Sequence, residues 1–389
     1  MKQKIYLIKN LAPWMIDELL AFSNYVKFSV VFLRKPDEFY KDDIKKLQNN
    51  GIEIIIQPVS YANLLSKFRI IIPFFLKNLL RFKPGYNSVI GVKSMFWFLM
   101  LDLTKFSSKS SIHAQFTTQA ALIAFLIKKY YDDLPEYYFT FHAYDIYFDN
   151  KWFSLLVTKS KIAFSISQYN INYVIKKYKN FDINKIKLSR LGVFRPKNIQ
   201  NQKVKKNGVF TLGLLSWFVE KKGIKYLLEA MKLISEENNV RLILAGDGPL
   251  TEDIIDYINA NDLRESVEYI GRVKGRKKEE FFNSLDVFVL PAISLSNDQD
   301  GIPVVLMEAI SYGLPLISTC VSGIPEICKN DYNGFLIPER NVNALIDSFY
   351  KLMEDQAIKC RFSKNSLELS MIYDIELNSK KKLKDLFWL

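Results

Sequence analysis

The feature that most constrains this chain is a rhythm. Short apolar, β-branched runs alternate with helix-length periodic segments, and the alternation occurs twice. In the first half, 4–9 (KIYLIK), 28–33 (FSVVFL), 51–59 (GIEIIIQPV), 137–141 (YYFTF) and 162–167 (IAFSIS) read as strands, with helical segments at 13–25 and 38–49 between the first three. In the second half, strands are expected at 209–215, 240–245, 267–270, 287–291 and 316–319, and helices at 223–236 and 251–261. Runs apolar along their whole length suit strands covered on both faces, as in a parallel sheet flanked by helices. The stretch 197–207 (KNIQNQKVKKN) has no apolar periodicity and is the expected linker. The resulting expectation is α/β: two doubly wound, Rossmann-like domains at 1–200 and 201–371, facing across a cleft at the carboxyl ends of their sheets. A final helix at about 372–389 is expected to pack back on the first domain.

Composition separates the halves. Residues 1–200 hold 30 Lys and Arg against 14 Asp and Glu, a net +16, while 201–389 hold 24 against 27, a net −3. The whole excess of +13 thus lies in the first half. Three cysteines exclude a disulfide framework, and two histidines, His113 and His142, exclude a His-rich metal site. The opening residues lack a signal-peptide core, and 110–127, the longest charge-free run, contains a histidine and several amides and hydroxyls. A strand plus a helix is expected there, and a soluble, reducing compartment for the chain.

The most informative stretch is 300–308, DGIPVVLME. Pro303 suits a first helical turn, where its missing N–H costs nothing, and Gly301 lets backbone approach a ligand. A loop feeding a helix N-terminus presents free N–H groups and a positive dipole to a phosphate. Asp300 on the loop and Glu308 within the helix would be repelled by that phosphate and suit hydroxyls instead, one on a transferred sugar and one on a ribose. Three further turns, 245–249 (AGDGP), 271–273 (GRV) and 322–326 (SGIPE), follow strands and line the same crevice.

These motifs resemble the family-four retaining glycosyltransferases, which have the GT-B fold. The resemblance covers most of 209–340 through EKKG (220–223), LAGDGP (244–249), YIGRV (269–273), DVFVLP (286–291), DGIPVVLMEA (300–309), GLPLIST (313–319), GIPE (323–326) and NGFLIP (333–338). The family pattern has two acidic residues eight positions apart, here Asp300 and Glu308; members acting on bacterial surface polysaccharides often carry the Asp form. The first half matches through IHAQF (112–116), TFHAYDIY (140–147), SQYNIN (167–172) and LGV (191–193). Two departures stand out. The usual glycine-rich first loop is replaced by KNLAPWMID (9–17), and Trp217 occupies the place of an arginine that, with Lys222, holds the leaving diphosphate.

The resemblance implies His142, Asp300 and Glu308 as catalytic residues, His142 contacting the donor sugar. It implies donor contacts from Trp217, Lys222, Gly248, Arg272 and Val273, and from Gly301, Ile302, Pro303 and Val304. His113 is expected to be structural. Asp298 and Asp300 form an Asp-x-Asp pair, but Asp300 is accounted for by the loop-helix pattern, so no metal and no cofactor are expected.

The basic half has two candidate partners, nucleic acid and an anionic membrane surface. In 61–106, Lys67, Arg69, Lys77, Arg81 and Lys83 lie among bulky apolar residues such as Phe74, Phe75, Leu79 and Phe82. Basic plus apolar is an interfacial signature and no nucleic-acid motif appears. Pro73 is expected to divide this stretch into two short helices. The expected protein is a retaining, metal-independent hexosyltransferase, cytoplasmic and peripheral on the inner face of the cell membrane. It would move a sugar from a UDP-sugar to a lipid-linked or polysaccharide acceptor in lipopolysaccharide or capsule synthesis. The alternative is a catalytically inactive GT-B subunit that activates a partner glycosyltransferase, a reading that Trp217 favours. An epimerase would lack DGIPVVLMEA, and a phosphorylase would need a pyridoxal lysine motif that is not found.

Overall fold

The computed structural model describes all residues except 1–2, 63, 83–85, 149, 197–198, 200–207, 235–238 and 297, and not the side chains of 80, 82 and 86–88. The linker expected at 197–207, apart from Ile199, and Lys83 lie outside the described residues, as does the side chain of Phe82. The chain forms two compact units, Met1–Gly192 with Ile375–Leu389, and Val193–Asp374.

The first unit is built on seven parallel strands: β1 (Lys4–Ile8), β2 (Ser29–Phe32), β3 (Glu53–Ile56), β4 (Ser111–Gln115), β5 (Glu136–Phe141), β6 (Ala163–Ser165) and β7 (Ile186–Leu188). Their order in the sheet is β3-β2-β1-β4-β5-β6-β7. Alternate residues of β1 enter opposite cores: Ile5 and Leu7 join one apolar cluster, Tyr6 and Ile8 the other. This two-sided burial is why the strand is apolar throughout. The strand order reverses between β1 and β4, so their carboxyl ends flank the sheet's switch point, where open α/β sheets bind ligands.

The closing helix, Ile375–Asp385, packs against helix Pro13–Ser23 of this unit. Leu383, Leu386 and Trp388 enter its second core, and the Trp388 indole N–H donates to Ser111 Oγ at 2.7 Å.

The second unit has six parallel strands: β8 (Phe210–Trp217), β9 (Val240–Asp247), β10 (Val267–Tyr269), β11 (Val287–Leu290), β12 (Leu316–Thr319) and β13 (Gly334–Ile337). Their order is β10-β9-β8-β11-β12-β13, with the reversal between β8 and β11.

Three expectations for 61–83 need correction. Pro73 does not divide the segment; it sits inside one helix, Leu64–Lys77. The proline is exposed, on a side of the helix where the freed carbonyl can meet water. Lys67 does not face outward. It is 1% exposed and its ammonium donates to the carbonyls of Ser60, Leu99 and Leu101 at 3.1, 2.8 and 2.9 Å. Phe74 is core, stacked on Trp152 with centroids 5.6 Å apart.

Candidate active site

In the second unit, β8 runs to Trp217 itself and is followed by a short 3-10 turn, Glu220–Lys222. Gly223 ends that turn in the left-handed region (φ 66°), with a would-be Cβ 1.8 Å from the Pro291 carbonyl oxygen. Only glycine fits this approach, and it presses the loop after β8 against the loop after β11. The Ile293 N–H also donates to the Lys221 carbonyl at 2.8 Å. The two loops at the switch point are therefore one structure.

Their charges interlock. Lys222 Nζ donates to Asp300 at 2.7 Å, both side chains being largely buried. Lys221 pairs with Asp298 at 2.7 Å and lies 3.8 Å from Asp300. The Asp-x-Asp pair thus has ammonium partners. Among the described residues, no cluster of three or more His, Cys, Asp or Glu is placed to hold a metal.

Helix Val304–Ser311 begins one residue later than the sequence suggests. Pro303 is its N-cap, with extended backbone, and does not open the first turn. Proline has no N–H, so the donors facing outward start at Val304. Ile302 is buried and packs on Gly323. Glu308, in the second turn, accepts from Lys278 at 2.7 Å.

Trp217, Asp247 and Arg272 follow or end three adjacent strands. The register pairs Trp217 with Asp247. Arg272 Nε donates to Asp247 at 2.8 Å while its guanidinium stands 5.5 Å from the Trp217 ring centroid. The hydroxyl of Thr251, then the Gly248 N–H and Arg272, hold the Asp247 carboxyl below its usual range. Gly248 passes so close to Phe218 that a Cβ would sit 2.5 Å from its carbonyl. Val273 follows Arg272 in the same loop. Ser216 Oγ is buried there without a hydrogen-bond partner.

In the first unit, His142 ends β5 and is the N-cap of a short helix, Ala143–Tyr147. Its ring lies against Trp14 and Phe116, with centroids 4.9 and 4.6 Å away. Its Nε2 is 3.1 Å from Gln115 Oε1. A buried relay fixes which way that amide points. Gln115 Nε2 donates to Glu18 at 3.0 Å and to the Tyr6 hydroxyl, Tyr6 donates to Glu18, and Lys382 donates to Glu18 at 2.6 Å. A carboxylate accepts only, so the amide nitrogen must face Glu18 and the amide oxygen must face His142. Nε2 of His142 therefore carries the proton. Burial, then the Lys382 charge, pushes its pKa down to about 3, so the ring is neutral. His113 is fully buried, bonds Thr140 Oγ1 at 2.9 Å and packs edge-on to the Tyr6 ring, with centroids 4.9 Å apart.

Sequence reasoning missed Lys221, Lys278, Gln115, Glu18 and Lys382. Lys221 was within reach, being the neighbour of Lys222 in EKKG. The others are partners distant in sequence and carry no local signal.

The second unit's region, residues 196–368, matches the family model described as Glycosyl transferases group 1. Among curated proteins, this chain is 33% identical over 167 residues to the putative colanic acid biosynthesis glycosyltransferase WcaL of Escherichia coli K12, covering 41% of this chain and 40% of that one. It is 31% identical over 140 residues to the amylovoran biosynthesis glycosyltransferase AmsK of Erwinia amylovora, covering 36% and 34%. It is 29% identical over 161 residues to the UDP-Gal:alpha-D-GlcNAc-diphosphoundecaprenol alpha-1,3-galactosyltransferase of Escherichia coli, covering 40% and 39%. The matches thus span about 40% or less of the length of these relatives. Among solved structures, Anabaena Alr3699/HepE in complex with UDP superposes with a TM-score of 0.72 at 14% identity over 100% of both chains. A glycosyltransferase from Rickettsia africae ESF-5 gives 0.72 at 15% identity over 99% and 98%. These likenesses establish the fold, that of the GT-B glycosyltransferases.

Proposed function

Residues 196–368 being a group 1 glycosyltransferase domain within a GT-B chain, we propose that the protein transfers a sugar from a UDP-sugar to a lipid-linked or polysaccharide acceptor in cell-surface glycan synthesis. The observation that carries this reading is the Lys222–Asp300 pair at the β8/β11 switch point, beside the free N-terminus of helix Val304–Ser311. Lysine and helix N–H groups suit a diphosphate. The relatives' printed names support the rest: two are named for colanic acid and amylovoran biosynthesis, and one for galactosyl transfer from UDP-Gal to GlcNAc-diphosphoundecaprenol.

In the proposed reaction the acceptor hydroxyl bonds to the anomeric carbon as that carbon's bond to the diphosphate breaks, on the same face, and the hydroxyl proton passes to a leaving phosphate oxygen. Asp300 and Glu308 receive sugar and ribose hydroxyls. Lys222, turning from Asp300 toward the diphosphate, neutralises the developing charge without a metal. Gly248, Arg272, Val273, Gly301, Ile302 and Pro303 form the rest of the donor bed. His142, neutral and fixed in one tautomer, acts as hydrogen-bonding partner to the transferred sugar. Unit one takes the acceptor and rests on the inner leaflet; no helix among the described residues is long and apolar enough to cross a membrane.

Incubating the purified chain with UDP-glucose, UDP-galactose or UDP-N-acetylglucosamine, each with GlcNAc-diphosphoundecaprenol as the acceptor and in EDTA, tests this. UDP release, and an axial product linkage by NMR, are expected. An obligatory Mg²⁺ or Mn²⁺ would overturn the metal-independent part. Trp217 favours a second reading, an inactive subunit that activates a partner enzyme; UDP binding without release of UDP from any of the three donors would support it.

A further inference from the structure

The first unit has a pocket of about 280 Å³ at its own switch point, between the carboxyl ends of β1 and β4. Lys9 and Asn10 enter it from the loop after β1, Thr118 and Gln119 from the start of helix Gln119–Tyr130, and Lys93 from helix Tyr86–Met100. Phe116, which forms part of its wall, also packs on His142. The family resemblance assigns this place to a glycine-rich loop that the chain lacks, so the residues here are its own.

Two cations, Lys9 and Lys93, line the pocket, and among the described residues no acidic one does. Lys93, with Arg34 further out, adds like charge to the surroundings of Lys9. Like charges gathered beside a half-buried lysine repel one another, and a bound anion would relieve them. The first turn of helix Gln119–Tyr130 adds N–H donors and contains no acidic residue.

An apolar face opens beside the pocket. Val89 and Lys93 share a helix with the exposed Val92 and Phe96. The neighbouring helix Leu64–Lys77 exposes Leu65, Phe68, Ile72 and Leu76. Anion pocket and apolar face together match one chemistry, a phosphate or diphosphate carrying a hydrocarbon chain.

We propose that this pocket, through Lys9 and Lys93, holds the phosphate group of an amphiphilic acceptor whose chain lies along the exposed face of the two helices. The proposal rests on the reading that the first unit takes the acceptor. It places the acceptor's anionic group beside Phe116 and hence next to His142.

Calorimetric titration of the full chain, with UDP saturating the donor site, tests it with three probes: inorganic pyrophosphate, farnesyl diphosphate and farnesol. Pyrophosphate should bind, farnesyl diphosphate at least ~10-fold more tightly, and farnesol not measurably. Lys93→Met, on an exposed helix position, should weaken both phosphates ~10-fold or more, as expected for a lost charged hydrogen bond, with UDP affinity unchanged. Lys93→Arg should stay within ~3-fold. Pyrophosphate binding that is absent, or indifferent to Lys93→Met, overturns the site. Equal affinity for pyrophosphate and farnesyl diphosphate assigns the pocket to a soluble phosphate and overturns the lipid half. Failure of UDP to bind the wild-type chain overturns the donor reading instead, and leaves the pocket to be judged by the phosphate probes alone.

Discussion

The Arg272 guanidinium stands over the Trp217 indole, 5.5 Å from its centroid, while its Nε bonds Asp247. Trp217, where the resemblance leads one to expect an arginine, therefore has a cation on its face, carried by the loop after β10, two strands from β8. Cation–π contact contributes about 0.5–1 kcal/mol at exposed sites. Arg272→Ala should weaken UDP binding by about 1.5–3 kcal/mol, the range for a charged hydrogen bond. Trp217→Arg, placing a second cation beside the first, should leave the fold intact and restore no more than it repels. Unchanged UDP affinity in Arg272→Ala would remove Arg272 from the donor bed.

Asp300 and Glu308 should separate by kinetics. Glu308→Gln is expected to weaken UDP binding by about 1.5–3 kcal/mol and to leave Lys278 without its carboxylate. Asp300→Asn is expected to lower kcat more than UDP affinity, because its proposed partner is the sugar. Asp300→Asn also releases Lys222 from its ion pair; UDP binding much weaker in Asp300→Asn than in wild type would reverse the assignment.

Lys382 and Glu18 form a nearly inaccessible ion pair, 2% and 6% exposed. Lys382→Met strands a buried carboxylate and should cost about 3–5 kcal/mol, whereas Lys382→Met with Glu18→Gln should recover much of it. Denaturant unfolding of the two variants measures the difference. Glu18→Gln alone should also let the Gln115 amide turn over, and an altered His142 ring signal by NMR would report the lost tautomer.

The pH dependence of stability follows from three buried groups. His142 is pushed down to about 3 and His113 well below its usual value, both by burial first. A histidine lowered on folding contributes stability above its unfolded pKa, near 6.5, that is lost as pH falls toward the folded value. Asp145, whose carboxylate accepts from the His142 N–H at 2.9 Å, is pushed up to about 7, chiefly by burial. A raised carboxyl contributes stability below about 3.8 that is lost as pH rises through 7. Asp145 thus opposes the histidines between pH 4 and 6.5. Asp145→Asn should cost most near pH 4 and least above pH 7, so its acid limb should be steeper than wild type's in chemical denaturation.

Membrane attachment is expected to depend on Arg69, Lys77 and Lys93, all exposed, and not on the buried Lys67. Each basic residue near an anionic surface contributes about 1 kcal/mol. Changing these three to Glu should abolish flotation with anionic vesicles and leave UDP affinity unaltered, whereas equal recovery with neutral and anionic lipid would sink the membrane reading.

The β-α-β alternation was legible because two-sided burial writes an uninterrupted apolar run into each strand, as in β1 and β11. β7 was not, its three residues being half-exposed or exposed on the sheet's edge. The loop at 300–308 was readable from its proline, glycine and acidic spacing, though Pro303 caps the helix instead of opening it. Partnerships were not readable. Nothing local to Lys67 marks the three carbonyls that draw it inward, and nothing local to Lys382 marks Glu18, 364 residues away.

The helix that supplies Lys382 and the tail that supplies Trp388 are made after the whole of the second unit. On a ribosome, the unit that begins first is therefore completed last. Until residues 375–389 emerge, Glu18 has no ammonium and the core around Phe22 and Phe28 lacks its Trp388 lid. The second unit, contiguous from Val193 to Asp374, can finish while its predecessor waits. A fragment ending at residue 200 would lack that closing piece, so loss of the last fifteen residues should damage the beginning of the protein more than its end.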